Sequence, residues 1–279
     1  MKQSLSVIIL TYNERLHIRR CIENITPIAK EIFVVDCNSS DGTQDIAKEL
    51  GAHVVEHPWP GLYAVQMNWA IDTLPISGDW VLRLDADEYL TPELIAELQE
   101  KLDTLSETVT GVTFRLLRVF MGKLLHYGNP TIRLLRLWRN GKAHCETRKM
   151  DEHMELTDGT VVDFDNGFAD HNLNNLVWWT QKHLGYAQRE AADLMDNAFD
   201  AGRLNDQAAA KRKLKGHYAK LPLFWRSFAY FLYRYVIKLG FLDGKPGFLW
   251  AILQAYWYRT FVDALIYEQE QRAKTDVAE

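Results

Sequence analysis

Trp80-Val81-Leu82-Arg83-Leu84-Asp85-Ala86-Asp87-Glu88 is the stretch on which the reading of this chain turns. Five residues of strand character run directly into carboxylates spaced i, i+2. An ionised Asp is costly to bury unless a cation or hydrogen-bond donors meet it. Hard oxygen ligands where a strand gives way to a loop suit Mg²⁺ or Mn²⁺, ions that commonly also bind phosphate oxygens. Open α/β sheets bind ligands beyond the carboxyl ends of their strands, which is where these carboxylates fall. Spacing alone leaves an alternative open: an acidic turn leading into a helix capped at Thr91-Pro92-Glu93.

The segments upstream repeat the pattern. Ser6-Val7-Ile8-Ile9-Leu10 reads as a buried strand and ends in Thr11-Tyr12-Asn13-Glu14. Ile18, Cys21, Ile22 and Ile25 then recur at helical spacing. Glu31–Asp36 is a second strand ending in a carboxylate, followed by the polar turn Asn38–Thr43 and a helix closed by Gly51. A third strand covers His53–Glu56, and a helix near Leu62–Thr73 leads back to Trp80. This β-α-β alternation predicts a parallel sheet with right-handed crossovers. Three polar clusters, Thr11–Glu14, Asp36–Asp41 and Asp85–Glu88, then fall along one sheet edge.

Taken together, these clusters resemble the family 2 glycosyltransferases over roughly the first 170 residues. The resemblance is carried by Thr-Tyr-Asn-Glu after the first strand, Val-Val-Asp-Cys-Asn-Ser-Ser-Asp-Gly-Thr after the second, and Asp-Ala-Asp-Glu after the fourth. Downstream, Arg133-Leu134-Leu135-Arg136, Asn140-Gly141-Lys142, Asp151-Glu152-His153 and Asp170-His171-Asn172 are similar to the branch that builds lipopolysaccharide core and exopolysaccharide. The resemblance implies a GT-A fold, a nucleotide-sugar donor, a divalent metal and inversion at the anomeric carbon. It implies Asp87 as metal ligand and Asp85, beside Ala86, turned to the ribose or reaching the metal through water. Asp36 would accept N3–H of a uracil, and Thr11, Tyr12, Asn13 and Glu14 would frame base and ribose together with Ser39 and Asp41. Gln66 and Asn68 would face the donor. Glu152 matches the catalytic acid position, as the base that deprotonates the acceptor hydroxyl. The branch has His before that Glu, whereas here Asp151 precedes it and His153 follows, so Asp151 stands as a rival base. His171 would be a further metal or diphosphate ligand, and imidazole favours Mn²⁺ over Mg²⁺.

Composition is that of a folded globular protein: 279 residues, 47% hydrophobic and 25% charged. That length can bury one α/β core and a smaller appendage. Cys21, Cys37 and Cys145 lack metal-like spacing and are odd in number, which predicts a reducing cytosol. The first apolar run is only strand length, so no secretory signal is expected, and no run is long enough to span a bilayer.

The net charge of −5 hides an asymmetry. Residues 211–245 hold nine Lys or Arg against the single acid Asp243, and 16 of the 33 aromatics lie between Tyr218 and Tyr267. Arg226, Arg234 and Lys238 interleave with Phe224, Trp225, Phe228 and Tyr233. Rings beside cations suit a membrane interface with anionic lipid, and are too apolar for nucleic acid. The alternative is a helical subdomain packing its aromatics on itself. The expected division is a GT-A domain over 1–171 and a helical region over 172–279, for membrane or acceptor binding. Strands are expected at Gly111–Phe120, Ile132–Trp138 and Thr160–Phe164. Helices are expected at Leu173–Ala201, Asp206–Ala219, Pro222–Leu239 and Pro246–Gln271. Lys182, His183 and Tyr186 share a helical spacing that serves either an acceptor or an ordinary exposed face.

The expected partners are a nucleotide-sugar donor, a lipid-linked or lipopolysaccharide glycan acceptor and the inner face of the cytoplasmic membrane. A nucleotidyltransferase would need a glycine-rich phosphate loop, and Thr11–Arg20 contains no glycine. A non-catalytic nucleotide-sugar-binding or scaffold protein is the other reading.

Overall fold

A computed structural model describes residues 3–147, 152–195, 218 and 221–276. Two compact units are present: Met1–Gly122 with Thr131–Leu173, and Lys123–Pro130 with Asn174–Glu279.

The first unit begins β1 (Leu5–Thr11), α1 (Ile18–Ile25), β2 (Glu31–Asp36), α2 (Thr43–Glu49), β3 (His53–Glu56), α3 (Tyr63–Thr73), β4 (Trp80–Asp85), β5 (Glu88–Leu90), α4 (Pro92–Lys101) and β6 (Val109–Phe120). After β7 (Lys123–Leu125), which belongs to the second unit, it resumes with β8 (Arg133–Arg139), β9 (Ala143–Cys145), β10 (Met154–Leu156) and β11 (Thr160–Asp170). The main sheet runs β3-β2-β1-β4-β8-β6-β11-β5. The first four strands in that order are mutually parallel. β8 is antiparallel to both β4 and β6, whereas β11 is parallel to β6 and antiparallel to β5. A mixed sheet flanked by helices is the GT-A-like arrangement that the motifs imply.

β1 occupies the middle of the parallel half because Leu5, Val7, Ile8 and Ile9 are all fully buried, one set on each face of the sheet. Ile18, Cys21, Ile22 and Ile25 cover one face from α1. Ala64, Met67 and Ala70 of α3 cover the other. Each such large side chain contributes about 1.5–3 kcal/mol by leaving water. The helix after the acidic turn is also as expected: Thr91 Oγ1 accepts from Leu94 N at 3.2 Å and Pro92 opens the first turn. Cys21, Cys37 and Cys145 are free and buried.

Two features of the first unit depart from the reading of the sequence. β11 continues six residues past Phe164, to Asp170, because a break in register between Asp163 and Gly167 lets the strand rejoin β6. Gly167 passes so close to the Arg115 carbonyl that a Cβ there would clash with it. Glu88 is not in a simple loop but opens β5, an edge strand paired with β11.

The second unit is helical: α5 (Leu176–Met195), α6 (Trp225–Leu232), α7 (Gly244–Trp250) and α8 (Tyr258–Asp276). A π-helical stretch, Tyr233–Ile237, extends α6, and another, Ala251–Trp257, joins α7 to α8. The expected helix from Pro222 starts instead at Trp225, because Phe224 adopts a φ of 67°. Of the expected Asp206–Ala219 helix only Tyr218 is among the described residues, and Lys211–Lys215 and Lys220 lie outside them. Ala187, Ala191 and Leu194 pack on Tyr258, Val262 and Ile266. No helix among the described residues is long and apolar enough to cross a membrane.

Candidate active site at the carboxyl ends of the sheet strands

Parallel pairing of β1 with β2 and β4 brings the three polar clusters to one edge, with Thr11 level with Asp36 and Leu10 level with Asp85. The first two loops are laced together. Asn13 N donates to Ser39 Oγ at 2.7 Å, Ser40 N to Asn13 Oδ1 at 3.0 Å, Glu14 N to Thr43 Oγ1 at 2.8 Å, and Arg15 N to Asp41 Oδ2 at 3.0 Å. Burial would raise the Asp41 pKa, but hydrogen bonds from Thr43 and from Arg15 N overcome it and hold the carboxyl below its ordinary value.

Asp36 anchors this lacing from below. It is 0% exposed and both oxygens are saturated, by Thr11 Oγ1 and Ser39 Oγ (both 2.6 Å), Ser39 N (2.7 Å) and Gln44 Nε2 (2.8 Å). Direct acceptance of a uracil N3–H therefore does not fit, nor does contact through the buried Thr11. Tyr12 and Asn13 are among the exposed side chains of this edge. The buried Gln66 turns to Cys37 Sγ and His57, and Asn68 clamps the backbone of Cys145 at 2.7 and 2.8 Å. Both hold neighbouring segments in place instead of facing a donor. Ala86 is buried at 3% exposure.

The two carboxylates of the Asp85-Ala86-Asp87 turn differ in role. Asp85 belongs to an interior ion network. Tyr63 Oη donates to its Oδ1 at 2.9 Å, Arg83 Nε lies 3.7 Å from that oxygen, and Arg136 reaches Oδ2 at 3.4 Å and Glu88 Oε1 at 2.6 Å. Burial alone would raise the Asp85 pKa, but Arg136 and then Arg83 outweigh it and hold the carboxyl well below its usual range. Glu88, deeper still, is pushed well above its ordinary value by burial despite Arg136. Asp85 thus serves as counter-ion to two buried guanidiniums, with its side chain still 34% exposed at the edge.

Asp87 faces a different group of side chains. Asn172 Nδ2 donates to its Oδ2 at 2.9 Å, and its carbonyl accepts from His171 N and Arg20 Nη2, both at 3.0 Å. Arg20 Nη2 also donates to the His171 carbonyl at 2.6 Å, and Nη1 approaches His171 Nδ1 at 3.1 Å. A guanidinium can only donate, so Nδ1 accepts and the proton of the neutral imidazole sits on Nε2. Burial, then the Arg20 charge, lower the His171 pKa against the opposing pull of Asp87. A neutral ring whose one lone pair faces Arg20 does not fit a metal ligand; it fits a hydrogen-bond donor. His17 is fixed by the same logic. Leu173 N donates to its Nε2 at 2.8 Å, so Nδ1–H donates to Glu14 Oε2 at 2.6 Å.

No three His, Cys, Asp or Glu side chains converge to hold a metal among the described residues. A single carboxylate nevertheless suffices for Mg²⁺ or Mn²⁺ when phosphate oxygens and water complete the shell, and Asp87 fits that donor set. Glu152 is half-buried beside β10. Burial works against the Arg83 charge, whereas Tyr63, Asp85, Cys145 and Glu152 favour it, so Glu152 lies within electrostatic reach of the guanidinium that Asp85 neutralises. Asp151 lies outside the described residues. His153 pairs with Glu146 at 2.9 Å, closing the hairpin that Glu152 leads into. Lys182, His183 and Tyr186 belong to the second unit, where Lys182 sits over Trp178 and His183 stacks on Trp179.

Arg20, Arg83, Arg136 and His17 are site residues to which the sequence alone assigned no role. Arg83 was visible as a lone charge inside an apolar strand, a position that demands a partner. Arg20 and His17 carry no such signal, since their partners Asp87, His171 and Leu173 are remote in sequence.

The comparisons with known proteins agree with this layout. Residues 6–149 match the model of glycosyl transferase family 2. An uncharacterized glycosyltransferase of Rickettsia typhi is 29% identical over 91% of this chain and 84% of its own length. The lipopolysaccharide core biosynthesis glycosyltransferase LpsC of Rhizobium meliloti is 26% identical over 91% of each chain. Among solved structures, glucosyl-3-phosphoglycerate synthase from Mycobacterium tuberculosis aligns at 25% identity over 42% of this chain and 44% of that one, with a TM-score of 0.35, a likeness too partial to bear on the chemistry. The family model covers 144 of 279 residues and spans all three clusters at the sheet edge, so this chain is a glycosyltransferase of family 2.

Proposed function

We propose that the protein is an inverting glycosyltransferase that moves a sugar from a nucleotide sugar, a UDP-sugar in the first instance, to a hydroxyl of a lipid-linked lipopolysaccharide or exopolysaccharide acceptor. The observation that carries the reading is the division of the acidic turn: Asp85 is neutralised from inside while Asp87 faces the Arg20–His171–Asn172 group. Asp87 would hold a divalent cation, Mn²⁺ or Mg²⁺, and that ion would supply positive charge to offset the departing nucleoside diphosphate.

This chain's own residues do the rest. Tyr12 and Asn13 take the nucleotide on an edge made rigid by Asp36, Ser39 and Asp41. His171 Nε2–H donates toward the diphosphate, its tautomer fixed by Arg20. Glu152, within electrostatic reach of Arg83, accepts the proton of the acceptor hydroxyl. Asp151 remains the rival for that role.

The relationship to LpsC supports a lipopolysaccharide-type acceptor, and such an acceptor would bring the enzyme to the inner face of the cytoplasmic membrane. The helical second unit would supply membrane or acceptor contacts.

The test is nucleotide release from UDP-, GDP- and dTDP-sugars with and without Mn²⁺. Turnover should require the metal, favour a UDP-sugar, and vanish in Asp87→Ala. Equal turnover by wild type and Asp87→Ala, or turnover indifferent to chelation, would overturn the assignment of Asp87.

A further inference from the structure

The helix formed by α6 and its π-helical extension is inverted in polarity. Its charged residues point inward: Arg226 is 3% exposed and pairs with Asp263 at 2.6 Å, and Arg234 is 5% exposed and donates to the Gly128 carbonyl at 2.6 Å. Its apolar residues point outward. Trp225, Phe228, Leu232 and Val236 fall at helical spacing on one face and are 73%, 43%, 40% and 47% exposed, and Ile237 beside them is 68% exposed. Soluble proteins bury the opposite set. Ionisable groups paired inside a helical unit with apolar side chains outside is the arrangement found where lipid is the solvent.

The ends of this helix carry backbone strain. Phe224 and Leu239, both bulky, have φ of 67° and 57°. Such conformations persist only where their surroundings over-determine them. Here Phe224 N donates to Asp263 Oδ2 at 2.7 Å, the carboxylate that also holds Arg226. The same ion pair therefore fixes the helix start and keeps the apolar stripe turned out.

Charge on this surface also has one sign. From Leu221 to Trp257 the only acid is Asp243, which is 2% exposed and accepts from the backbone of His126 and Tyr127, whereas Lys238 and Lys245 are exposed. Eight helical and five π-helical residues reach about 20 Å, short of a hydrocarbon core of about 30 Å. The helix can lie in a bilayer face but cannot cross it.

The geometry points to the Trp225–Ile237 stripe as a monotopic anchor that inserts into the acyl layer of a phospholipid bilayer. This rests on the membrane reading above and changes its physical basis, since Arg226 and Arg234, expected at the lipid headgroups, are instead internal. Insertion is driven by apolar area, so it resists salt; adsorption through lysines does not.

The experiment is flotation of the full-length protein with phosphatidylcholine vesicles, with and without phosphatidylglycerol, at low and high salt. Wild type should bind both, with anionic lipid strengthening binding and high salt leaving it in place. Trp225→Ser/Ile237→Ser removes two side chains already exposed in the fold and should lower partition about a hundredfold with its melting temperature unchanged. Three results would overturn the inference: no vesicle binding, binding only to anionic vesicles and lost in salt, or a dimer in solution that the double variant dissociates. UDP-sugar hydrolysis on the same samples reads the donor site separately. Hydrolysis without vesicle binding sinks the anchor alone, and vesicle binding without hydrolysis sinks the proposed transferase chemistry alone.

Discussion

Arg136→Leu tests the interior network beneath the acidic turn. Arg136 is 5% exposed and touches Glu88 at 2.6 Å and Asp85 at 3.4 Å, with Phe168 under its guanidinium at 4.9 Å. Removing one partner of a buried pair costs about 3–5 kcal/mol, because the remaining charge is left uncompensated. Glu88, already pushed upward by burial, can escape part of that cost by taking a proton. A carboxyl whose pKa is raised by folding contributes stability that is present at low pH and lost as pH rises through the folded value. The cost of Arg136→Leu should therefore be larger at an alkaline pH than at an acidic one. At about 2–4 °C per kcal/mol, the melting temperature of the variant should fall by roughly 6–20 °C at the higher pH. Glu88→Gln removes the stranded charge, so in that background Arg136→Leu should cost about 2 kcal/mol less. Thermal melts of the four proteins at both pH values form the cycle. A cost below about 1 kcal/mol, or an equal cost in the Glu88→Gln background, would refute the ion-network account.

Other outcomes follow from the same geometry. Glu152→Gln should lower kcat by about 10²–10⁴-fold while UDP affinity, measured by calorimetry, stays within a few-fold; parallel losses would contradict a base on the acceptor side. Arg20→Lys should lower kcat/KM about tenfold or more without rescue by added Mn²⁺, because an ammonium cannot bridge the Asp87 carbonyl, the His171 carbonyl and Nδ1 together; wild-type kinetics would remove Arg20 from the site. Glu97 accepts from Lys101 at 2.8 Å and from Asp165 N and Asn166 N at 3.0 Å; burial would raise its pKa, but these donors lower it below 4.5. Its contribution is present above that value and lost as pH falls through the lower folded one, so Glu97→Gln should flatten the acid limb of a stability–pH curve, and an unchanged limb would show that other carboxylates dominate.

Much of the first unit is legible in the chain because its signals are local. The apolar run Val7–Leu10, helical spacing from Ile18 to Ile25 and the Thr91-Pro92 cap are each read within a few residues, and each is formed as read. The order of the three polar clusters is equally local, and parallel pairing needs only the alternation of strands and helices to align them. What each polar residue does at that edge is not local. Asp36 and Asp87 both follow a strand, yet one is sealed by four donors and the other faces Arg20 and Asn172, contacts up to 85 residues distant. The polarity of the helix after Phe224 is decided the same way: aromatic and basic residues alternate in the sequence, and only Asp263, 37 residues on, selects which set turns inward. The chain by itself determined the elements and the sheet edge where they meet, because short-range burial patterns encode both. Tertiary structure alone decided which carboxylates are counter-ions and which remain available, because that depends on where distant guanidiniums and amides arrive.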